Sequence, residues 1–198
     1  MLIQAAAGGV GIAATQIAKL AGAGEVYGTA SAAKHDAVRR LGVDHPIDYT
    51  SHDFVKEVRR IAGSKQPLDL VMDAIGGGSF RKSWSLLGAG GRLVCFGASS
   101  AMSGERRSLA AGARMLATTP VFHPLRMASQ SKAVVGLNLL TLWDAKRSLD
   151  EYVAPLREWI ERGELRPVVA ESFPLERGAD AHRYMAERRN VGKVVLTV

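Results

Sequence analysis

The sequence predicts a doubly wound α/β fold on a six-stranded parallel sheet, and three observations carry that prediction. Apolar runs of strand length alternate with helix-period segments, the pattern of a parallel sheet covered on both faces. A glycine turn, Gly8-Gly9-Val10-Gly11, falls between the first apolar run and the first helical one. With 47% hydrophobic and 23% charged residues and a mean hydropathy of +0.02, the 198-residue chain has the composition of an ordinary soluble globule able to bury a core.

Each element follows in order. Leu2-Ile3-Gln4-Ala5-Ala6 is a first strand, and after the glycine turn a helical pattern through Ile12, Ile17 and Leu20 stops at Gly22 and Gly24. Val26 to Thr29 is a second strand, with a helix from about Ala33 to Leu41 ended by Gly42. His45 to Tyr49 is a short third strand, and the next helix runs from Asp53 to Ala62 and ends at Gly63. Leu68 to Asp73 is a fourth, followed beyond the Gly76-Gly77-Gly78 loop by a helix over Ser79 to Leu87. Gly91 to Gly97 is a fifth, an irregular stretch occupies residues 99–131, and Ala133 to Leu137 is a sixth. The expected sheet order is 3-2-1-4-5-6. A helix or broken helix pair covers residues 144–162, with Pro155 as the expected break and Gly163 as the stop. Two further strand-like runs, Val168 to Phe173 and Val194 to Val198, flank a helix near Ala179 to Arg188. The six-stranded sheet does not need them, so residues 1–163 are expected to form one domain and residues 164–198 a tail.

Composition also excludes function classes. One cysteine makes neither an internal disulfide framework nor a thiolate zinc site, and the five histidines show no ligand spacing. Cys95, between Val94 and Phe96, reads as a buried inert thiol. The net charge is +7, but the basic residues come singly or in pairs such as Arg39-Arg40 and Arg106-Arg107, mostly beside acids, and no basic run is interleaved with aromatics. Nucleic-acid binding is therefore not expected. No stretch approaches the ~18 apolar residues of a membrane span. The uncharged first 18 residues lack a positive n-region and are broken by glycines, so a cytoplasmic location is expected.

The chemistry lies at the glycine turn. Ala6-Ala7-Gly8-Gly9-Val10-Gly11 fits G-x-G-x-x-G with Ala first: a tight turn, a side-chain-free approach for a pyrophosphate, then a Gly for close helix–strand packing. The helix opening near Val10 offers free N–H groups and a positive dipole end to phosphates. About 20 residues on, where a carboxylate would hold a ribose 2′-OH, the chain reads Thr29-Ala30-Ser31-Ala32-Ala33-Lys34, with no acid. Ser31 donates a hydrogen bond and Lys34 supplies a charge, a pattern that favours a 2′-phosphate and hence NADPH over NADH.

These residues, with His45-Pro46-Ile47-Asp48-Tyr49, Val71-Met72-Asp73, Gly76-Gly77 and Asn190-Val191-Gly192-Lys193-Val194, resemble the cofactor-binding half of the medium-chain dehydrogenase/reductase superfamily. The resemblance is to its zinc-independent quinone oxidoreductase branch, the VAT-1-like oxidoreductases above all, and runs from Leu2 to Val198. It implies a Rossmann domain in which Gly8, Gly9, Val10 and Gly11 hold the pyrophosphate and Ser31, Lys34 and Tyr49 surround the 2′-phosphate. Phe96, Gly97, Gly136 and Leu137 lie along the nicotinamide, and Asn190 lies near the cofactor. Asp73, at the end of strand four, either touches the cofactor or caps the next loop. The resemblance implies metal-free hydride transfer from NADPH to a quinone or conjugated carbonyl, and a homodimer formed through the edge strand near Val134 to Leu139. It also implies a GroES-like catalytic barrel that this chain lacks and that residues 164–198 would complete, so no catalytic residue can be named. Two rival functions remain: the enoyl reductase region of a polyketide or fatty-acid synthase, and a non-catalytic nucleotide-binding module.

Overall fold

The computed structural model describes residues 1–99 and 109–198, with the side chains of residues 109–111 left out. Residues 100–108, part of the stretch read as irregular and including Arg106-Arg107, lie outside the described residues.

Six strands, β1 (Leu2–Ile3), β2 (Tyr27–Ala30), β3 (His45–Asp48), β4 (Leu68–Asp73), β5 (Leu87–Cys95) and β6 (Ala133–Gly136), form one parallel sheet in the order 3-2-1-4-5-6, as the sequence predicts. Successive side chains on a strand face opposite ways, so the central strand splits the interior into two layers. Leu2 joins Tyr27, Ile47, Val58, Val71, Leu87 and Leu93 on one face, while Ile3 joins Ala6, Val26, Val38 and Val43 on the other. Pro46 is tolerated because β3 is an edge strand, where a missing N–H breaks no ladder.

Helices α1 (Gly9–Leu20), α2 (His35–Arg40), α3 (Phe54–Ala62) and α4 (Gly78–Trp84) link the first five strands. Asp53 caps α3, its Oδ1 accepting from the N–H groups of Val55 (2.9 Å) and Lys56 (3.2 Å), and Gly63 closes it at φ 63°. The stretch read as irregular contains α5 (Leu109–Thr118) and α6 (Pro124–Gln130).

Three boundaries differ from the expected ones. β1 ends at Ile3, because Ala5 turns to φ 55° and hands its N–H to Thr29 Oγ1 at 3.0 Å. β5 begins at Leu87, so α4 stops at Trp84. Pro155 does not break a helix: α7 (Leu139–Lys146) and α8 (Asp150–Glu161) part at Arg147 to Leu149, and α8 runs on through the proline. Arg147 ends α7 in the left-handed region at φ 63°, and Ser148 Oγ accepts the Asp150 N–H at 3.1 Å to start α8. Pro155 is exposed, so water reaches the carbonyl its missing N–H leaves unpaired.

Beyond Gly163, β7 (Val169–Pro174) and β8 (Lys193–Thr197), with α9 (Gly178–Ala186) between them in sequence, pair in parallel as a second, two-stranded sheet. This tail lies against the glycine turn. Gly192 N–H donates to Ala7 O at 2.9 Å, and the Gln16 amide both donates to Arg166 O (3.0 Å) and accepts from Arg166 N–H (2.8 Å).

Candidate functional site

The site begins where β1 gives way to the turn. Ala5, in the left-handed region, sends its carbonyl to accept the Gly8 N–H at 3.0 Å. The chain then enters α1 so close beneath itself that a Cβ on Gly11 would lie 2.7 Å from Ala6 Cα. That is the close helix–strand approach the third glycine was expected to permit. Ala6 is buried and packs toward Gly28, so it shapes the turn from below. Gly8 caps α1 without a side-chain acceptor, the first turn holds no acid, and the N–H groups of Gly9, Val10 and Gly11 have no acceptor among the described residues. Three unpaired donors at the positive end of a 12-residue helix make an anion cradle.

The edge of this cradle is cationic. Ser31 follows β2 and opens a short 3₁₀ turn over Ala32–Lys34, its hydroxyl unused as a cap. Lys34 Nζ donates to the carbonyl of Asn190 at 2.7 Å, and Arg188 donates to Tyr49 Oη at 3.3 Å. Burial, and then the Arg188 charge, lower the Lys34 pKa from its ordinary value. Asp48 is turned into its own loop, accepting from Thr50 N–H, Thr50 Oγ1 and Ser51 Oγ. The structure thus brings Lys34, Tyr49 and Asn190 together with Arg188. Asn190 contributes its main chain, since its side chain donates to Gly192 O at 2.9 Å within its own loop.

Two contributors were missed from sequence. Arg188 was read only as the end of the tail helix, although its φ of 55° marks a turn that returns the chain to Tyr49. Lys193 lies across Gly9, where an added Cβ would fall 2.6 Å from its Cε. The sequence signal was the glycine before it: Gly192 has φ 103°, and its Cβ would meet the Val168 side chain at 2.9 Å, so only glycine lets the tail pass here.

The other end of the crevice is apolar. Phe96 and Gly97 follow β5, the Phe96 N–H donating to Asp73 O at 3.2 Å, and Leu137 N–H donates to Cys95 O at 2.9 Å beyond Gly136. The carboxyl ends of β4, β5 and β6 therefore gather Phe96, Gly97, Gly136 and Leu137 beside the point where the strand order reverses. Asp73 is 0% exposed and committed to its loop. Its Oδ1 accepts from Ile75 and Gly76 N–H, and its Oδ2 from Ser79 and Ser83 hydroxyls at 2.7 and 2.8 Å. Of the two roles left open for it, the geometry supports the loop cap. Burial, with the Asp73 charge second, pushes the Cys95 thiol up to about 11. Among the described residues no three His, Cys, Asp or Glu side chains converge as metal ligands. No helix among them is long and apolar enough to cross a membrane.

Comparison with known proteins agrees with this architecture. A family model described as zinc-binding dehydrogenase matches residues 41–196. The chain is 38% identical over 197 residues to the synaptic vesicle membrane protein VAT-1 homolog of Danio rerio, covering 100% of this chain and 40% of that protein. It is 38% identical over 199 residues to the spectinabilin polyketide synthase system protein NorB of Streptomyces orinoci, covering 100% of this chain and 8% of that one. Among solved structures, Escherichia coli quinone oxidoreductase complexed with NADPH superposes with a TM-score of 0.77 at 27% identity, over 100% of this chain and 56% of the other. The chain spans half or less of the length of these curated relatives. With the glycine cradle at its switch point and that agreement along its whole length, the chain belongs to the zinc-binding dehydrogenase family of medium-chain dehydrogenases/reductases.

Proposed function

We propose that this chain is the NADPH-binding domain of an oxidoreductase that passes hydride to a quinone or α,β-unsaturated carbonyl, with the acceptor's walls supplied outside it. The observation that carries the reading is the pairing of three unbonded N–H groups at Gly9, Val10 and Gly11 with a cationic corner of Lys34 and Arg188. In this reading the cradle holds the diphosphate, and Ser31, Lys34, Tyr49 and Arg188 receive the 2′-phosphate. Phe96, Gly97, Gly136 and Leu137 flank the ring. The bound cofactor supplies the hydride; this chain fixes its position and keeps water from one face. An arriving 2′-phosphate would relieve the Lys34–Arg188 repulsion, which a 2′-hydroxyl cannot do.

Fluorescence titration tests the reading. NADPH should bind more tightly than NADH, and Lys34→Ala should erase most of that gap, about tenfold for one charge-assisted contact. Equal affinities in the wild-type chain would end the NADPH assignment. Identity to a polyketide synthase protein favours a second reading, an enoyl reductase region. Joined to a catalytic domain, turnover of 9,10-phenanthrenequinone supports the first reading, activity only on an acyl-thioester enone the second, and tight binding without turnover a non-catalytic module. Residues 164–198 would, in either enzyme, join that catalytic domain.

We also propose a homodimer through β6. It is an edge strand with exposed Val135, and Leu137, Leu139 and Leu140 continue the exposed apolar surface beyond it. Light scattering at high micromolar concentration should give the mass of two chains; a monomer mass would refute it.

A further inference from the structure

We propose that the hollow between α4 and the α5–α6 connection is a second binding site, for a small aromatic carboxylate, at the end of the sheet opposite the glycine turn. Its position follows from strand direction. Lys132 precedes the first residue of β6, whereas Gly136 at the far end of that strand faces the crevice, and α4 runs from the crevice at Gly78 toward Trp84. The hollow has a volume of about 460 Å³, room for one bicyclic molecule.

Its floor is aromatic. Trp84 and Phe122 pack against the buried cluster of Leu86, Leu87 and Leu93, with ring centroids 5.1 Å apart and planes tilted by 55°. Its charge is uniformly positive. Arg81 and Arg126 line it with His123, no acidic residue does, and neither guanidinium has a hydrogen-bond or ion-pair partner among the described residues. Next to the hollow's Trp84, Lys132, a residue whose stem is largely buried, holds its ammonium 5.4 Å from the ring centroid, with no hydrogen-bond acceptor among the described residues. Burial and the Arg126 charge both lower its pKa.

The Lys132 ammonium, held over the Trp84 ring and repelled by the Arg126 guanidinium, has no anion beside it among the described residues. Some cations elsewhere on the chain do have carboxylate partners, Lys82 with Asp53, Arg60 with Glu57 and Arg162 with Glu164. A planar oxyanion would accept bidentate bonds from the guanidinium forks, and an attached aromatic ring would cover the Phe122–Trp84 floor. The site shares no residue with the proposed cofactor crevice, so it stands or falls independently of that reading.

The probe is 2-naphthoate, titrated calorimetrically into the 198-residue chain. Saturable binding is expected at or below about 1 mM, with 2-naphthalenemethanol and inorganic phosphate each at least about tenfold weaker. The exposed pair Arg81→Gln with Arg126→Gln should weaken naphthoate about a hundredfold, roughly tenfold per guanidinium, while leaving NADPH binding unchanged. The proposal is overturned by absence of binding, by phosphate or the alcohol binding as well as naphthoate, or by a loss that follows Lys34→Ala instead of the arginine pair, which would place the probe in the cofactor crevice.

Discussion

Single residues set the chemistry of the crevice by what they leave unpaired and what they neutralise. The amides of Gly9, Val10 and Gly11 are available because no side chain caps α1, whereas the Asp73 carboxylate, at the end of a neighbouring strand, is saturated by four donors. Cys95 lies beside that carboxylate, and burial together with the Asp73 charge holds its thiol protonated up to about pH 11. Two consequences follow. Iodoacetamide should label native Cys95 much more slowly at pH 8 than the unfolded chain and accelerate only as pH approaches 11, read by mass spectrometry; labelling at the unfolded rate at pH 8 would refute the burial argument. For stability, the unfolded thiol ionises near its ordinary value of 9.0 while the folded one does not, so this group's contribution is constant below pH 9 and falls as pH rises from 9 toward 11. Gly8, Gly9 and Gly11 were legible at this scale because glycine spacing is itself the signal. The partnership of Lys34 with Asn190 and Arg188 was not, since it joins positions more than 150 residues apart that only the fold brings together.

Elements were legible wherever local chemistry decided them. Asp53 and Gly63 bracket α3 by capping and by left-handed geometry, and both are visible in sequence. β1 was overestimated because an apolar run does not reveal that Ala5 turns away from the sheet. Pro155 misled for the opposite reason. A proline is a strong local signal, but here an exposed helix tolerates it while the true break lies at Arg147 and Ser148. This makes α8 the element with most stability to gain. Pro155→Ala restores an N–H donor to Glu151 O and removes a ring clash, a gain of about 3 kcal/mol in a helix interior, offset by about 1 kcal/mol of added freedom in the unfolded chain. The net of about 2 kcal/mol should appear in hydrogen exchange as about thirtyfold greater protection of the α8 amides. Unchanged protection would mean that the helix does not limit opening there.

At the scale of the whole chain, the proposed preference for NADPH over NADH depends on the tail. Neither of the two packed clusters flanking the sheet contains a residue beyond 163, so the six-stranded sheet has its core without the tail. The cationic corner does not: Arg188 and Lys193 belong to the tail, and Lys34 is held by the tail's Asn190 carbonyl. Ending the chain after Gly163 should therefore preserve the far-UV dichroism of the sheet and its helices while weakening NADPH about a hundredfold, the loss of two charge-assisted contacts, and NADH by less. Gly192→Ala is the gentler version of the same test. At φ 103°, with Val168 against the new methyl group, it should loosen the docked tail and narrow the gap between the two cofactors without removing a charge. Equal losses for both cofactors would show that the tail braces the glycine turn without reading the 2′-phosphate. Loss of the dichroism on truncation would show that the sheet needs the tail to fold, because the contacts of Gln16 with Arg166 and of Ala7 with Gly192 would then be part of its stability and not only of its site.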